Sequence, residues 1–99
     1  MRGGHQKNKR DANEPIIFAI LRAHGISVYP IDKPADALCG FRGVSFLVEI
    51  KNGPKAKLTD AQHKFLNTWT GDHTILDSEE AATRWCQDIR AKYSWRPNG

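Results

Sequence analysis

The chain has 99 residues, of which 39% are hydrophobic and 26% are charged. This length and composition predict one folded domain with a single modest core, and they exclude an intrinsically disordered chain. No apolar run approaches the roughly 18 residues that a membrane span requires, and no signal-peptide pattern opens the chain, so we expect a cytoplasmic protein. The formal net charge of +4 and the pI near 9.3 favour an anionic partner.

The cysteines and histidines do not show the spacing of metal ligands. Cys39 and Cys86 are far apart, and neither belongs to a Cys-x-x-Cys pair, which argues against a structural zinc site. We expect both to be small buried hydrophobic residues in a reducing compartment. The histidines at positions 5, 24, 63 and 73 have no ligand spacing either, so we do not assign them a catalytic role.

Basic residues concentrate at the start of the chain and in one later loop. Residues 1–9 are rich in glycine and basic residues and predict a flexible basic arm, and Arg10 extends its positive charge into the domain at 10–93. Lys55 and Lys57 lie in a predicted loop at 52–58. Basic side chains in such places can contact the phosphates of DNA, although ordinary solubilising charge is the alternative for each of them. Residues 94–99 form a C-terminal tail.

The first third of the chain predicts a helix and then a short strand. Pro15 suits the first turn of a helix, and apolar residues follow it at helical spacing until Gly25 ends the pattern: Ile16, Ile17, Ile20 and Leu21. Residues 26–29 indicate a strand, and Pro30 and Pro34 interrupt the segment that follows.

The middle of the chain predicts a β-hairpin over residues 35–41 and 44–51, with Arg42-Gly43 as its two-residue turn. This register places Asp36 directly opposite Glu49. Phe46, Val48 and Ile50 then point to one face and form an apolar row, because side chains alternate along a strand. Leu47, Glu49 and Lys51 point to the other face.

The remainder predicts helix, strand and helix. Thr59 caps a second helix that ends at Gly71, and its inward stripe comprises Gln62, Phe65, Leu66 and Trp69. A strand follows at 73–76, and Ser78 caps a last helix that buries Ala82, Trp85, Cys86 and Ile89. A strand, a helix and a strand in succession imply a right-handed parallel crossover. We therefore expect an α/β fold in the order α-β-β-β-α-β-α.

The polar face of the hairpin indicates a site for phosphoryl chemistry. Asp36 and Glu49, as cross-strand partners, would repel each other, and a divalent cation between them would remove that repulsion. Such a cation lowers the pKa of a bound water and neutralises phosphate charge, while Lys51 adds positive charge beside it. A surface hairpin with solvated charges is the alternative, and the apolar row on the opposite face disfavours it.

These residues resemble a known nuclease family. Asp36 followed by Glu49-Ile50-Lys51 is similar to the PD-(D/E)XK nuclease signature. The wider pattern resembles the VRR-NUC branch, which includes short stand-alone phage and prophage proteins, over residues 10–14, 35–43, 46–51 and 58–62. The resemblance covers roughly residues 10–90. It departs from the family in one place, because Ala35 separates Pro34 from the aspartate.

The resemblance implies a PD-(D/E)XK core, restriction-endonuclease-like, with a mixed four-stranded sheet and a terminal helix. It also implies a metal-dependent DNA endonuclease in which Asp36, Glu49 and the backbone carbonyl of Ile50 bind Mg²⁺ or Mn²⁺. Lys51 would then stabilise the charge that develops on phosphate or position the attacking water. The other interpretation is a catalytically silent nucleic-acid-binding module with the same fold.

Two further polar residues have alternative interpretations. The resemblance places Gln62 beside the metal site, but Thr59-x-x-Gln62 is also a capping box, in which the glutamine bonds back to the cap residue. Glu14 lies on the core-facing side of the first helix, and the resemblance implies that it is an extra carboxylate at the metal cluster. Favourable placement of an acid at a helix N-terminus explains it equally well.

The resemblance finally implies a homodimer that acts on branched DNA such as four-way junctions. One domain of this size carries one active site, and a two-fold dimer supplies the second site that symmetric cleavage of a junction needs. Tyr93 and Trp95 lie beyond the main stripe of the last helix and offer apolar surface for such a dimer. Folding back onto the same domain is the alternative for both side chains.

Overall fold

The computed structural model describes residues 12–94 of the chain. Within this range, the elements follow the order α-β-β-β-α-β-α, so the predicted α/β order is confirmed. Their bounds are α1 (Glu14–Ala23), β1 (Ser27–Pro30), β2 (Ala37–Phe41), β3 (Val44–Ile50), α2 (Asp60–Thr68), β4 (His73–Leu76) and α3 (Glu79–Lys92). The basic arm, Arg10 and Trp95 lie outside the described residues.

The four strands form one mixed sheet in the order β1-β2-β3-β4. The pairs β1–β2 and β2–β3 are antiparallel, and β4 joins β3 in parallel after the α2 crossover. Arg42 and Gly43 both have positive φ angles, 51° and 89°, which is the backbone of a type I′ turn. This turn sets the predicted hairpin register, from Phe41 opposite Val44 to Ala37 opposite Val48.

The main core lies between one face of the sheet and the helices α1 and α3. Its buried side chains come from α1, from β2, β3 and β4, from α3 and from the residue before β1: Ile17, Phe18, Leu21, Ile26, Ala37, Cys39, Phe46, Val48, Ile50, Leu76, Ala82, Cys86 and Ile89. The apolar row predicted on β3 is therefore confirmed. Burial raises the pKa of the Cys39 thiol to about 12 and that of Cys86 to about 11, so both cysteines are unreactive core residues, as expected.

Two details of the core bear on the sequence prediction. Ile16, expected in the inward stripe of α1, is 47% exposed, and Phe18 is buried in the stripe. Of the two alternatives for Tyr93, the structure shows folding back onto the same domain, since the side chain packs against the core with its ring 6.2 Å from that of Phe46.

The opposite face of the sheet is only partly covered. The helix α2 lies over β3 and β4, but it has no fully buried residue, and its predicted stripe is half-buried at Phe65 and Leu66 and exposed at Trp69. Beyond α2, Tyr29 and Leu38 are 70% and 43% exposed. Across residues 12–94, the helices are too short or too polar to cross a membrane.

Candidate active site

The two predicted acidic residues meet where β2 begins beside the end of β3. The regular ladder stops at Ala37 opposite Val48, and the Asp36 amide donates to the Val48 carbonyl at 3.0 Å. Asp36 Oδ2 accepts a hydrogen bond from the Ile50 amide at 2.7 Å. Asp36 is thus displaced from the direct opposition to Glu49 that the register predicted. The Asp36 carboxylate accepts the hydrogen bond that a backbone carbonyl would accept in a regular ladder. The Asp36 side chain also forms a hydrogen bond with the Glu49 side chain.

The Glu49 carboxyl holds its proton more tightly than an ordinary glutamate. Burial, together with the charge of Asp36 and the hydrogen bond between the two side chains, raises the pKa of Glu49 to about 7. The ammonium group of Lys51 acts in the opposite direction, since its Nζ lies 3.6 Å from Glu49 Oε2. The site therefore concentrates negative charge that one lysine only partly balances. A second cation would fit this electrostatic environment.

Gln62 connects Glu49, which belongs to β3, with Lys51, which directly follows β3. Its Nε2 donates to Glu49 Oε2 at 2.7 Å, and its Oε1 accepts from Lys51 Nζ at 2.9 Å. The Lys51 and Glu49 side chains are each 13% exposed, so these contacts are largely shielded from water. Gln62 lies in the first turn of α2, so these bonds join that helix to the end of β3.

The capping-box interpretation of Gln62 is correct as well. The Thr59 amide donates to Gln62 Oε1 at 2.8 Å, and the Gln62 amide donates to Thr59 Oγ1 at 3.1 Å. The two interpretations were alternatives in the sequence, but one side chain satisfies both. A carboxamide oxygen has two lone pairs and can accept from the cap and from Lys51 together.

A cleft of about 380 Å³ opens beside the two acids. It is lined by Asp32, Lys33, Pro34, Asp36, Glu49, Thr59, Ala61, Gln62 and Phe65. The segment 31–36 forms one wall, and the first turns of α2 form the other. Sequence reasoning missed Asp32 and Lys33, although the prolines around them marked an irregular segment that leads into Asp36.

Asn13 is a third residue to which the sequence analysis assigned no role. Its side-chain amide donates to the Lys51 carbonyl at 3.0 Å and to the Asp77 carbonyl at 3.2 Å. It therefore ties the residues that follow β3 and β4 to the start of α1. The signals in the sequence were its place two residues before Pro15, where a helix begins, and its place in the 10–14 stretch of the family resemblance.

Two groups of predicted residues complete the description of the site. Glu14 is 4% exposed at the first position of α1. Within residues 12–94, no group of three or more histidine, cysteine, aspartate and glutamate side chains that could hold a metal ion is found. Lys55 and Lys57 are exposed in the loop between β3 and α2.

The backbone of Ile50 is oriented toward Asp36. The amide and carbonyl of one strand residue point to the same edge of the strand, and the Ile50 amide bonds to Asp36 Oδ2. The Ile50 carbonyl therefore faces the Asp36 edge, as the predicted third ligand would require.

No protein-family model, curated protein or solved structure matches the chain.

Proposed function

We propose that the protein is a metal-dependent DNA endonuclease that hydrolyses phosphodiester bonds, a VRR-NUC-like member of the PD-(D/E)XK superfamily. The observation that carries the proposal is the contact between the Asp36 and Glu49 carboxyls in an open cleft, with Lys51 beside them. Two ionised carboxylates in contact repel each other and thereby destabilise the fold. A divalent cation bound between them would relieve this repulsion and could contact a phosphate.

The donor set fits Mg²⁺ or Mn²⁺. Asp36, Glu49 and the Ile50 carbonyl supply oxygen atoms, which these hard cations prefer, and Mg²⁺ commonly keeps several of its waters. Asp36 Oδ2 and Glu49 Oε2 already accept hydrogen bonds from the Ile50 amide and from Gln62. These bonds hold each carboxylate in one orientation. A bound cation supplies a water of lowered pKa and neutralises phosphate charge.

The side chains around the acid pair have distinct tasks in this hydrolysis. Lys51 Nζ provides positive charge for the phosphate as negative charge develops on it. Gln62 holds Lys51 and Glu49 at a constant separation through its amide. A water molecule attacks phosphorus, and the bond between phosphorus and one bridging oxygen breaks. The cut leaves one strand end with a phosphate and the other with a hydroxyl.

The surroundings of the site favour DNA as the substrate. Lys33 lines the cleft, and Lys55 and Lys57 are exposed on the loop that joins β3 to α2. These side chains can contact phosphates on either side of the bond that is cut. We further propose a homodimer selective for branched DNA, because one site cuts one strand and a two-fold axis supplies the second. The exposed side chains of Tyr29 and Leu38 offer apolar surface for such an assembly.

The decisive experiment is a cleavage assay on plasmid, linear, nicked, flap and four-way-junction DNA with Mg²⁺, Mn²⁺, Ca²⁺ or EDTA. We expect cleavage with Mg²⁺ or Mn²⁺, binding with little turnover in Ca²⁺, and no cleavage by Glu49→Gln or Asp36→Asn. Asp88→Asn is the matched control, because Asp88 is an exposed acid on α3. Metal-dependent DNA binding without cleavage of any substrate would instead identify a silent binding module.

A further inference from the structure

The amide orientation of Gln62 is determined by three polar contacts. Its Oε1 accepts hydrogen bonds from the Thr59 backbone amide and from Lys51 Nζ. Its Nε2 donates a hydrogen bond to Glu49 Oε2. Rotating the amide by half a turn would direct its NH₂ group at two donors and its oxygen at a carboxylate. All three contacts would then become unfavourable, so the network permits a single orientation.

The position of Gln62 depends in turn on the cap of α2. Thr59 Oγ1 accepts a hydrogen bond from the backbone amide of Gln62 at 3.1 Å, and this bond anchors the first turn of the helix. The rest of α2 provides little restraint, because the helix has no fully buried residue. The hydrogen bond at the N-terminus of α2 therefore adds to the half-buried packing of Phe65 and Leu66 in placing Gln62.

We infer that Thr59 is a positioning residue for the proposed nuclease site. It acts through Gln62, whose amide it orients and whose helical turn it anchors, and thereby sets the geometry of Lys51 and Glu49. Thr59 also lines the cleft, so an effect on substrate binding must be separated from an effect on positioning. The catalytic part of this inference rests on the proposed function, whereas the structural link from Thr59 to Gln62 is testable without it.

The chain contains a matched control for this role. Ser78 caps α3 in the same way, with its Oγ accepting the Ala81 amide hydrogen at 3.0 Å, and it is not among the residues that line the cleft. Thr59→Ala and Ser78→Ala each remove one capping hydroxyl, and both should lower the melting temperature by a similar amount. Thr59→Ser keeps the hydroxyl and should behave as the wild type does.

The first readout is the side-chain amide of Gln62, observed by NMR in the intact protein without DNA or metal. In the wild type we expect two well-separated, slowly exchanging NH₂ proton signals. Thr59→Ala keeps the contact from the backbone amide of residue 59 but removes the hydroxyl that anchors the first turn of α2, so it should shift these signals and speed their exchange, whereas Thr59→Ser and Ser78→Ala should leave them in place. Unchanged signals in Thr59→Ala would overturn the inference, whether or not the protein cleaves DNA.

The second readout is the division of the cleavage kinetics between kcat and KM. Thr59→Ala should lower kcat about 10-fold with KM unchanged, as the loss of a supporting contact commonly does, and Ser78→Ala should change neither. Because Thr59 acts through Gln62, adding Thr59→Ala to Gln62→Ala should cause no further loss. The positioning role would be overturned if the falls in kcat of the two single variants multiplied in the double variant. An equal fall in kcat in Ser78→Ala would overturn it as well. A wild type without cleavage would refute the proposed function alone.

Discussion

Replacing Glu49 with glutamine should stabilise the metal-free fold at neutral pH while abolishing cleavage. Glutamine has nearly the shape of protonated glutamate. Its oxygen can accept from Gln62 Nε2, and its nitrogen can donate to Asp36. The substitution therefore removes the repulsion between the two carboxylates and retains their hydrogen bonds.

The size and pH range of this effect follow from the pKa of Glu49, which is raised from 4.5 to about 7 in the folded protein. The native state binds this proton more tightly than the unfolded state does. Its stabilising contribution is therefore complete below pH 4.5 and is lost as the pH rises through 7. The difference corresponds to about 3 kcal/mol at 1.36 kcal/mol per pH unit. Solvent screening at this partly exposed site reduces it to about 1–2 kcal/mol.

The assay is urea unfolding in EDTA between pH 5 and pH 8, with Asp88→Asn as the control. Glu49→Gln should exceed the wild type by about 1–2 kcal/mol at pH 8 and by little at pH 5, whereas the control should change by less than about 0.5 kcal/mol. Mg²⁺ should stabilise the wild type at pH 8 but not the variant. An equal gap at both pH values, or a less stable variant at pH 8, would refute the reasoning.

Three further predictions concern the acid pair, the lysines and the assembly. Asp36→Ala should lose about 1–3 kcal/mol of stability in urea unfolding, because it leaves the Ile50 amide unpaired, whereas Asp36→Asn keeps an acceptor and should lose less; equal losses would contradict this role. Lys51→Ala should lower the cleavage rate and leave the affinity for DNA intact. Lys55→Ala or Lys57→Ala should instead weaken DNA binding and make the slope of log affinity against log salt concentration shallower by about one. Equal effects on binding from all three would make Lys51 an ordinary surface charge. Light scattering at micromolar concentration should give a dimer mass, and a monomer without preference for four-way junctions would leave a general nicking enzyme.

The elements that depend on local interactions could be predicted from the residues alone. The alternation along β3 predicted which face is buried, and Arg42-Gly43 predicted the two-residue turn, because both signals act between neighbouring residues. Thr59 and Ser78 marked the starts of α2 and α3 by the same local logic. These signals were sufficient to bring Asp36 near Glu49, since the register of a tight hairpin follows from its turn.

Which side chains these elements bury depends on packing between elements that are distant in the sequence. Helical spacing could not choose between Ile16 and Phe18, because the buried face of α1 depends on how α3 and the sheet pack against it. In the same way, the return of Tyr93 to the core depends on a contact with Phe46, which is distant in sequence.

The active-site geometry depends on the same long-range packing. Asp36 accepts from the Ile50 amide and Asn13 joins β3 to β4, and neither bond has a spacing that the sequence reveals. Gln62 had two competing local explanations, and the placement of α2 over β3 made both true. Sequence periodicity reports which face of an element is apolar, whereas a hydrogen bond between distant residues exists only once the elements are packed.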